Sequence, residues 1–336
     1  MLRSILVRGL LVSLCLFTGG AFATAQERHG ESRVVENLFD AKLLDGGVGW
    51  VVGAFGAIYK TTDGGKTWVA QKTPTLDYLY SVDFATPERG VVVGKSGTIL
   101  TTEDGGTTWV QRTSGTERNL FSVSFASPDS IWAVGDWGAI AHSADGGKTW
   151  TDRSLEDDIV LTSVDFVDDK HGLLAGEFGT VRYTQDGGTT FESPQTGTDK
   201  TFFGASMTGP QELWLVGIDG LILRSRDSGK TWEVKRGVLE TSSLEQVSFK
   251  EVMENPGLYD ISFSGGFGYV VGDVGMVLVS SDRGDTWVEH KLPPEMSLFW
   301  IRGVSAAGED RAILAGANGL TAGFEKEKVQ LGKHAG

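Results

Sequence analysis

A single cysteine, Cys15, stands among 336 residues. It falls inside an N-terminal segment that reads as an export signal, so the processed chain has no disulfide, no thiol nucleophile and no cysteine metal site. Stability must come from packing. Proline is scarce, at 8 residues, which argues against a disordered, linker-rich chain. Five histidines, at positions 29, 142, 171, 290 and 334, lack the spacing of metal ligands. No apolar run reaches the roughly 20 residues that a membrane-spanning helix needs, so the chain is not expected to span a membrane. Positive charge is also in deficit: 30 Lys and Arg against 44 Asp and Glu leave a net charge of −14. That balance disfavours nucleic acid and anionic lipid as partners and is compatible with a basic one.

The export signal rests on Arg3 and Arg8 before an apolar run from Leu10 to Phe17, with small residues at Ala21, Ala23 and Ala25. Cleavage is expected after Ala23 or Ala25, making residues 1–25 the signal peptide. Leu14, before Cys15, is not the small residue that lipoprotein cleavage prefers. Loss of the segment removes two arginines and no acids, taking the net charge to −16.

What the chain has in abundance is glycine, 47 residues of it, placed periodically. A stretch reading Ser/Thr-x-Asp-x-Gly-x-Thr-aromatic occurs six times, with its aspartate at Asp63, Asp104, Asp145, Asp186, Asp227 and Asp282. Alternating with these stretches, a Gly-x-x-Gly recurs once in each of seven units, at Gly53/Gly56, Gly94/Gly97, Gly135/Gly138, Gly176/Gly179, Gly217/Gly220, Gly272/Gly275 and Gly316/Gly319. Such periodicity belongs to stacked supersecondary units. Within one unit, Leu79–Phe84 alternates as a half-buried strand, with Tyr80, Val82 and Phe84 on one side and Ser81 and Asp83 on the other. "GVVVG", "TILTT" and "TWVQRT" follow as three more short strands. The glycine pair makes the turn between the second and third strands, with positive φ assigned to glycine, and the aspartate stretch makes the hairpin between the third and fourth.

Seven such units predict an all-β, seven-bladed β-propeller of four-stranded antiparallel blades over residues 34–331. The blades start near 38, 79, 120, 161, 202, 258 and 298. The seventh unit lacks the motif, carrying Lys326 where the others carry aspartate. Either Val329–Leu331 or Val34 and Val35 would supply its outer strand. An insertion at 238–256 precedes the sixth blade, where Ser242 to Glu245 reads as a capping box for a short helix ending at Pro256.

The aspartate stretch resembles the Asp-box, or BNR repeat, of sialidases and related propellers. Its chemistry is local: Asp accepts hydrogen bonds from turn amides, glycine takes positive φ, and Trp covers the hairpin. Six identical acids spread around a ring cannot act on one bond, so these aspartates are expected to be structural and none catalytic. "DGGKT" is not a phosphate loop, because the glycine needed five residues before the Gly-Lys pair is absent. Nor does it supply the ligand set of a calcium hand.

With 41-residue units, paired glycines and Asp-boxes, the chain resembles the photosystem II stability/assembly factor family of exported seven-bladed propellers. The resemblance implies a non-enzymatic scaffold, without cofactor or metal, that binds a protein partner such as a membrane-protein complex or its assembly intermediate. Its location would be the periplasm, or the thylakoid lumen in a photosynthetic organism. The alternative is a sialidase-like glycoside hydrolase or carbohydrate-binding propeller. No Arg-Ile-Pro signature is present, and Arg28 and Arg33 are the only arginines between the signal and Arg89.

Residues inside the glycine pairs vary while the frame repeats, which makes them the candidate partner-binding rim. The residues singled out are Phe55, Lys95, Asp136, Trp137, Glu177, Phe178, Asp219, Asp273 and Asn318. Their acids and aromatic rings are expected to dock a protein segment carrying basic residues.

Overall fold

Short β-branched and aromatic runs ended by glycine fold as antiparallel hairpins. In the first blade the strands are Leu38–Leu43, Gly49–Gly53, Ile58–Thr61 and Thr67–Ala70. The computed structural model describes residues 36–239, 253–308, 310–325 and 328–335. The expected signal peptide, Val34, Val35, Lys326 and most of the expected helix in the insertion lie outside the described residues. Of that helix, Met253 and Glu254 are helical.

Seven blades are present, and the protein is an all-β propeller. The later inner strands are Leu79–Phe84, Leu120–Phe125, Leu161–Phe166, Phe202–Gly209, Leu258–Ser264 and Ile301–Ala307. Each inner strand touches the inner strands of both flanking blades, and the first touches the seventh, closing the ring. The fourth blade has three full strands, its outer one reduced to a bridge between Tyr183 and Glu192. The seventh blade takes its outer strand from Lys328–Leu331, and Lys333–Ala335 then pairs in parallel with Thr67–Ala70 of the first blade. This terminal strand straps the closure from outside.

The apolar core is divided among the seven blade interfaces. One cluster joins Leu38, Val51 and Trp68 of the first blade to Ile313 and Ala315 of the seventh. At alternate interfaces a tryptophan of an odd blade lies over a phenylalanine of the next: Trp50 on Phe84, Trp132 on Phe166 and Trp214 on Phe263. A cation covers each tryptophan, namely Lys60, Arg153 and Arg224 at 5.2, 5.5 and 4.8 Å.

A polar seam runs inside these clusters. The third and fifth residues of an inner strand accept hydrogen bonds from backbone N–H groups of the next inner strand. Val82 donates to Asp40 at 2.9 Å, Phe125 to Asp83 at 2.8 Å, Met207 to Asp165 at 2.7 Å and Val304 to Asp260 at 2.8 Å. Serines 81, 122, 124, 163 and 262 act alike, and Leu43 donates to Ser305 at 2.9 Å across the closure. Each bond stabilises by about 1 kcal/mol while satisfying an amide that burial would otherwise orphan. Lys42 adds an ion pair to Asp83 at 2.6 Å.

Candidate functional site: the glycine-turn face

The two kinds of turn lie at opposite ends of the strands. The aspartate hairpins bond to the turns joining first and second strands, as in Gly64 N–H to Gly47 C=O at 2.9 Å and Gly105 N–H to Glu88 C=O at 2.8 Å. The glycine turns bond to the linkers between blades, as in Gly56 N–H to Asp77 C=O at 2.8 Å and Gly275 N–H to Phe299 C=O at 2.6 Å.

On the hairpin face each aspartate is saturated. Asp63 accepts from the Thr61 hydroxyl at 2.8 Å, the Thr67 amide at 2.9 Å and the Thr67 hydroxyl at 2.6 Å. Asp104, Asp145, Asp186, Asp227 and Asp282 repeat the same three contacts. Bonds to the charged form lower a carboxyl pKa. The hydroxyl and amide of Thr286 accordingly hold Asp282 at about 2.

On the other face every glycine pair makes a type I′ turn. In the third blade Trp137 (φ 53°) and Gly138 (φ 68°) are both left-handed, and Ala139 N–H bonds to Asp136 C=O at 2.9 Å. Positive φ therefore falls on the second glycine and on the variable residue before it: Phe55, Ser96, Trp137, Phe178, Asp219, Val274 and Asn318. The first glycine is extended. Its role is close approach, since a Cβ on Gly135 would overlap the Asn119 carbonyl oxygen of the adjoining linker.

The left-handed position drives its side chain outward. Phe55, Trp137 and Phe178 are 61, 59 and 58% exposed. Leu76 and Leu298, on linkers of this face, are exposed as well. Lys95 and Asn318 are also in solvent. The rim acids differ, because most have partners within the chain. Asp219 pairs with the fully buried Lys200 at 3.0 Å, and Lys200 also donates to Val238 C=O at 2.9 Å. Asp273 accepts from the Tyr259 hydroxyl at 2.8 Å, and Asp136 from the Asn119 amide at 2.9 Å. Burial pushes the carboxyls of Asp136, Glu177 and Asp273 up from their ordinary values.

A second, inner ring went unread in the sequence. Each inner strand is bulged at its second residue, as between Leu79 and Ser81, and a bulge re-aims the extra side chain. The residues so placed are Phe39, Tyr80, Phe121, Thr162, Phe203, Tyr259 and Arg302. Phe39 lies 5.8 Å from Tyr80, Tyr80 lies 5.4 Å from Phe121, and Phe203 lies 5.4 Å from Tyr259. Arg302 sits over Tyr259 and Trp300 at 4.8 and 5.5 Å, and Trp300 stacks on Phe39 at 6.0 Å. The signal was available: an aromatic recurs directly after the leading Leu or Phe of most units.

Among the described residues no group of three or more His, Cys, Asp and Glu is placed to hold a metal ion. None of their helices is long and apolar enough to cross a membrane.

The model of the family described as photosynthesis system II assembly factor YCF48 matches residues 69–160, 153–236 and 192–321. The chain belongs to this family. A solved structure described as YCF48 bound to D1 peptide superposes with a TM-score of 0.69 at 20% identity, covering 88% of this chain and 95% of that one. YCF48 from Cyanidioschyzon merolae gives 0.66 at 18% identity, over 88% and 99%. The WD40 repeats of RRP9 give 0.66 at 10% identity, over 86% and 94%, so the fold extends well beyond the family. No curated protein matches the chain in sequence.

Proposed function

We propose that this member of the assembly-factor family is a non-catalytic, exported scaffold whose glycine-turn face binds a protein partner, a membrane-protein complex or its assembly intermediate. The observation that carries this reading is the set of three aromatic rings, Phe55, Trp137 and Phe178, held in left-handed backbone and turned to solvent on one face. A non-glycine residue in that region carries backbone strain, and exposed rings of this size are typical interface anchors. A relative of the same fold that carries a D1 peptide supports a peptide or protein ligand.

The rim acts through its rings first. Asp219 and Asp273 serve internal bonds, so Lys95, Glu177 and Asn318 are left to tune the approach of the partner. A carbohydrate-cleaving reading is not favoured, since the repeated aspartates are used in turn bonds. Replacing Phe55, Trp137 and Phe178 together by Ala is expected to abolish recovery of the cellular partner by crosslinking while leaving thermal unfolding unchanged. Undiminished recovery by the folded variant would overturn the assignment.

A further inference from the structure

The joints of the ring are not made alike. The joint between second and third blades has two seam bonds, from Val123 to Ser81 and from Phe125 to Asp83. The closing joint has one, from Leu43 to Ser305, because Gly303 stands where the second blade carries Ser81. With no acceptor reaching it from the seventh blade, the Ala41 amide turns to the carboxylate of Asp40 beside it, at 2.7 Å. Two loop bonds, Asn318 N–H to Asn37 and Gly308 N–H to Asp45, add to the closure at 3.0 Å each. The terminal strand supplies the rest, and it makes the first blade the one five-stranded sheet among the described residues.

That strand is short and closely fitted. Lys333, His334 and Ala335 lie opposite Thr67, Trp68 and Val69 in parallel register. Gly332 N–H bonds to Thr321 C=O of the seventh blade and Lys333 N–H to Lys66 C=O of the first, both at 2.9 Å, so two consecutive amides stitch the two blades together. A Cβ on Gly332 would overlap the Thr321 hydroxyl and the Trp68 indole. Three residues of parallel pairing contribute few bonds, each slightly weaker than an antiparallel one. The central side chain therefore matters.

His334 lies between the two blades. Its Nε2 shares a hydrogen bond of 3.1 Å with the buried Thr321 hydroxyl of the seventh, and its ring meets Tyr59 of the first edge-on at 5.3 Å. Nδ1 is buried and has no hydrogen-bond partner among the described residues. A neutral imidazole brings one N–H into this site, whereas an imidazolium brings a second N–H and a charge. Burial pushes the imidazole below its ordinary value, outweighing the Gly319 carbonyl and the Glu36 carboxylate, which favour the charge. Glu36 also accepts from the Tyr59 hydroxyl at 3.4 Å, and burial pushes that phenol up to about 12, so Tyr59 stays neutral. Of the other charged groups nearby, Lys66 and Glu325 pair with each other at 3.7 Å, and Lys333 is exposed.

We propose that Lys333–Ala335 is a proton-released strap: with His334 neutral it locks the seventh blade to the first, and with His334 protonated it lets go, opening the closing joint and baring the outer edge of Thr67–Ala70. A bared edge presents N–H and C=O groups to which an extended segment can pair. A released His334 takes its proton near the ordinary value of 6.5, and a strapped one only at lower pH. Strap stability is thus full above about pH 6.5 and falls as the medium acidifies below it. The sense is opposite to that of the seam acids Asp40 and Asp165, raised to about 6, whose contribution grows on acidification. Local release of the strap is thereby distinguishable from a change in the whole ring. The proposal does not depend on which face docks the partner.

Hydrogen exchange of the full-length chain at pH 7.5 and 5.5, corrected for the intrinsic pH dependence of amide exchange, tests the strap. Mass spectrometry reads the fragment carrying Gly332 and Lys333. Protection there is expected to fall several-fold at pH 5.5, with about tenfold as the ceiling one unit below 6.5, while the second blade's outer strand, Val110–Arg112, loses none. His334→Phe keeps the ring contact with Tyr59 and removes the titration, so its strap protection is expected to be equal at the two pH values. Should that variant leave the strap open at both, the imidazole resonances of His334 in the parent chain, assigned by their loss in the variant and followed by NMR against pH, decide the matter through a midpoint expected below 6.5. Unchanged protection in the parent chain, an equal loss in Val110–Arg112, an undiminished pH response in His334→Phe, or a His334 midpoint at or above 6.5 overturns the proposal.

Discussion

Both faces of the ring are built from tight turns repeated blade by blade, yet they use their side chains in opposite ways. On the hairpin face Asp63 and its counterparts turn back onto their own loop, and each carboxylate is saturated by two hydroxyls and an amide of that loop. On the glycine-turn face the backbone alone holds the turn, through bonds such as Ala139 N–H to Asp136 C=O. The side chain at its tip is then free to vary, from Phe55 to Ser96 to Trp137. A repeat whose side chains make the fold must keep them; one whose backbone makes the fold can give them to recognition. The repeated motif thus marks the frame, and the variable tip marks the site.

Substitutions of one residue type in the two kinds of environment separate frame from site most sharply. Trp132 is fully buried, stacked on Phe166 and covered by Arg153. Trp132→Ala should cost about 3–5 kcal/mol by chemical denaturation. Trp137→Ala, on the exposed tip, should stay within about 0.5 kcal/mol. A large loss at Trp137 would mean that the tip is part of the frame. Next in size is Gly135→Ala, which forces a linker carbonyl aside and should cost about 2–4 kcal/mol. At the position equivalent to Trp137 in the sixth blade, β-branched Val274 is held at φ 50°. Val274→Asn suits that backbone better and should stabilise by about 0.5–1 kcal/mol in the same assay.

Carboxylates of the two environments also have opposite pH signatures. Asp282, held at about 2 by Thr286, contributes stability above the ordinary carboxylate range, and this is lost as pH falls toward 2. In the seam around the ring axis, burial raises Asp40 and Asp165 to about 6. Their contribution is full below about pH 4 and is lost as pH rises through about 6. Unfolding midpoints measured from pH 4 to 7 should therefore decline less in Asp165→Asn than in the parent chain. An identical slope in the two would remove Asp165 from this role.

The blade count was legible because turns are local: a glycine pair or an aspartate hairpin is complete within eight residues. Contacts between blades are not local, and these were missed. Asp219 reads as a free rim acid, but its partner Lys200 arrives from the linker before the blade. The alternation of Ser81 and Asp83 signals a half-buried strand, while the use of both residues as acceptors for Val123 and Phe125 depends on how the next blade is set. The bulge that turns Tyr80 aside is likewise a property of strand pairing. The glycine pairs pointed to the correct turns but hid a division of labour, the first for close approach and the second for positive φ.

Site-specific crosslinking tests the central claim most directly. A photoreactive benzoylphenylalanine placed at Trp137 on the glycine-turn face is compared, in cells, with one at Lys148 on the hairpin face, both positions being exposed. Recognition by the glycine-turn face predicts a specific crosslinked partner from position 137 and none from position 148. A partner captured from position 148 alone, or equally from both, would contradict it.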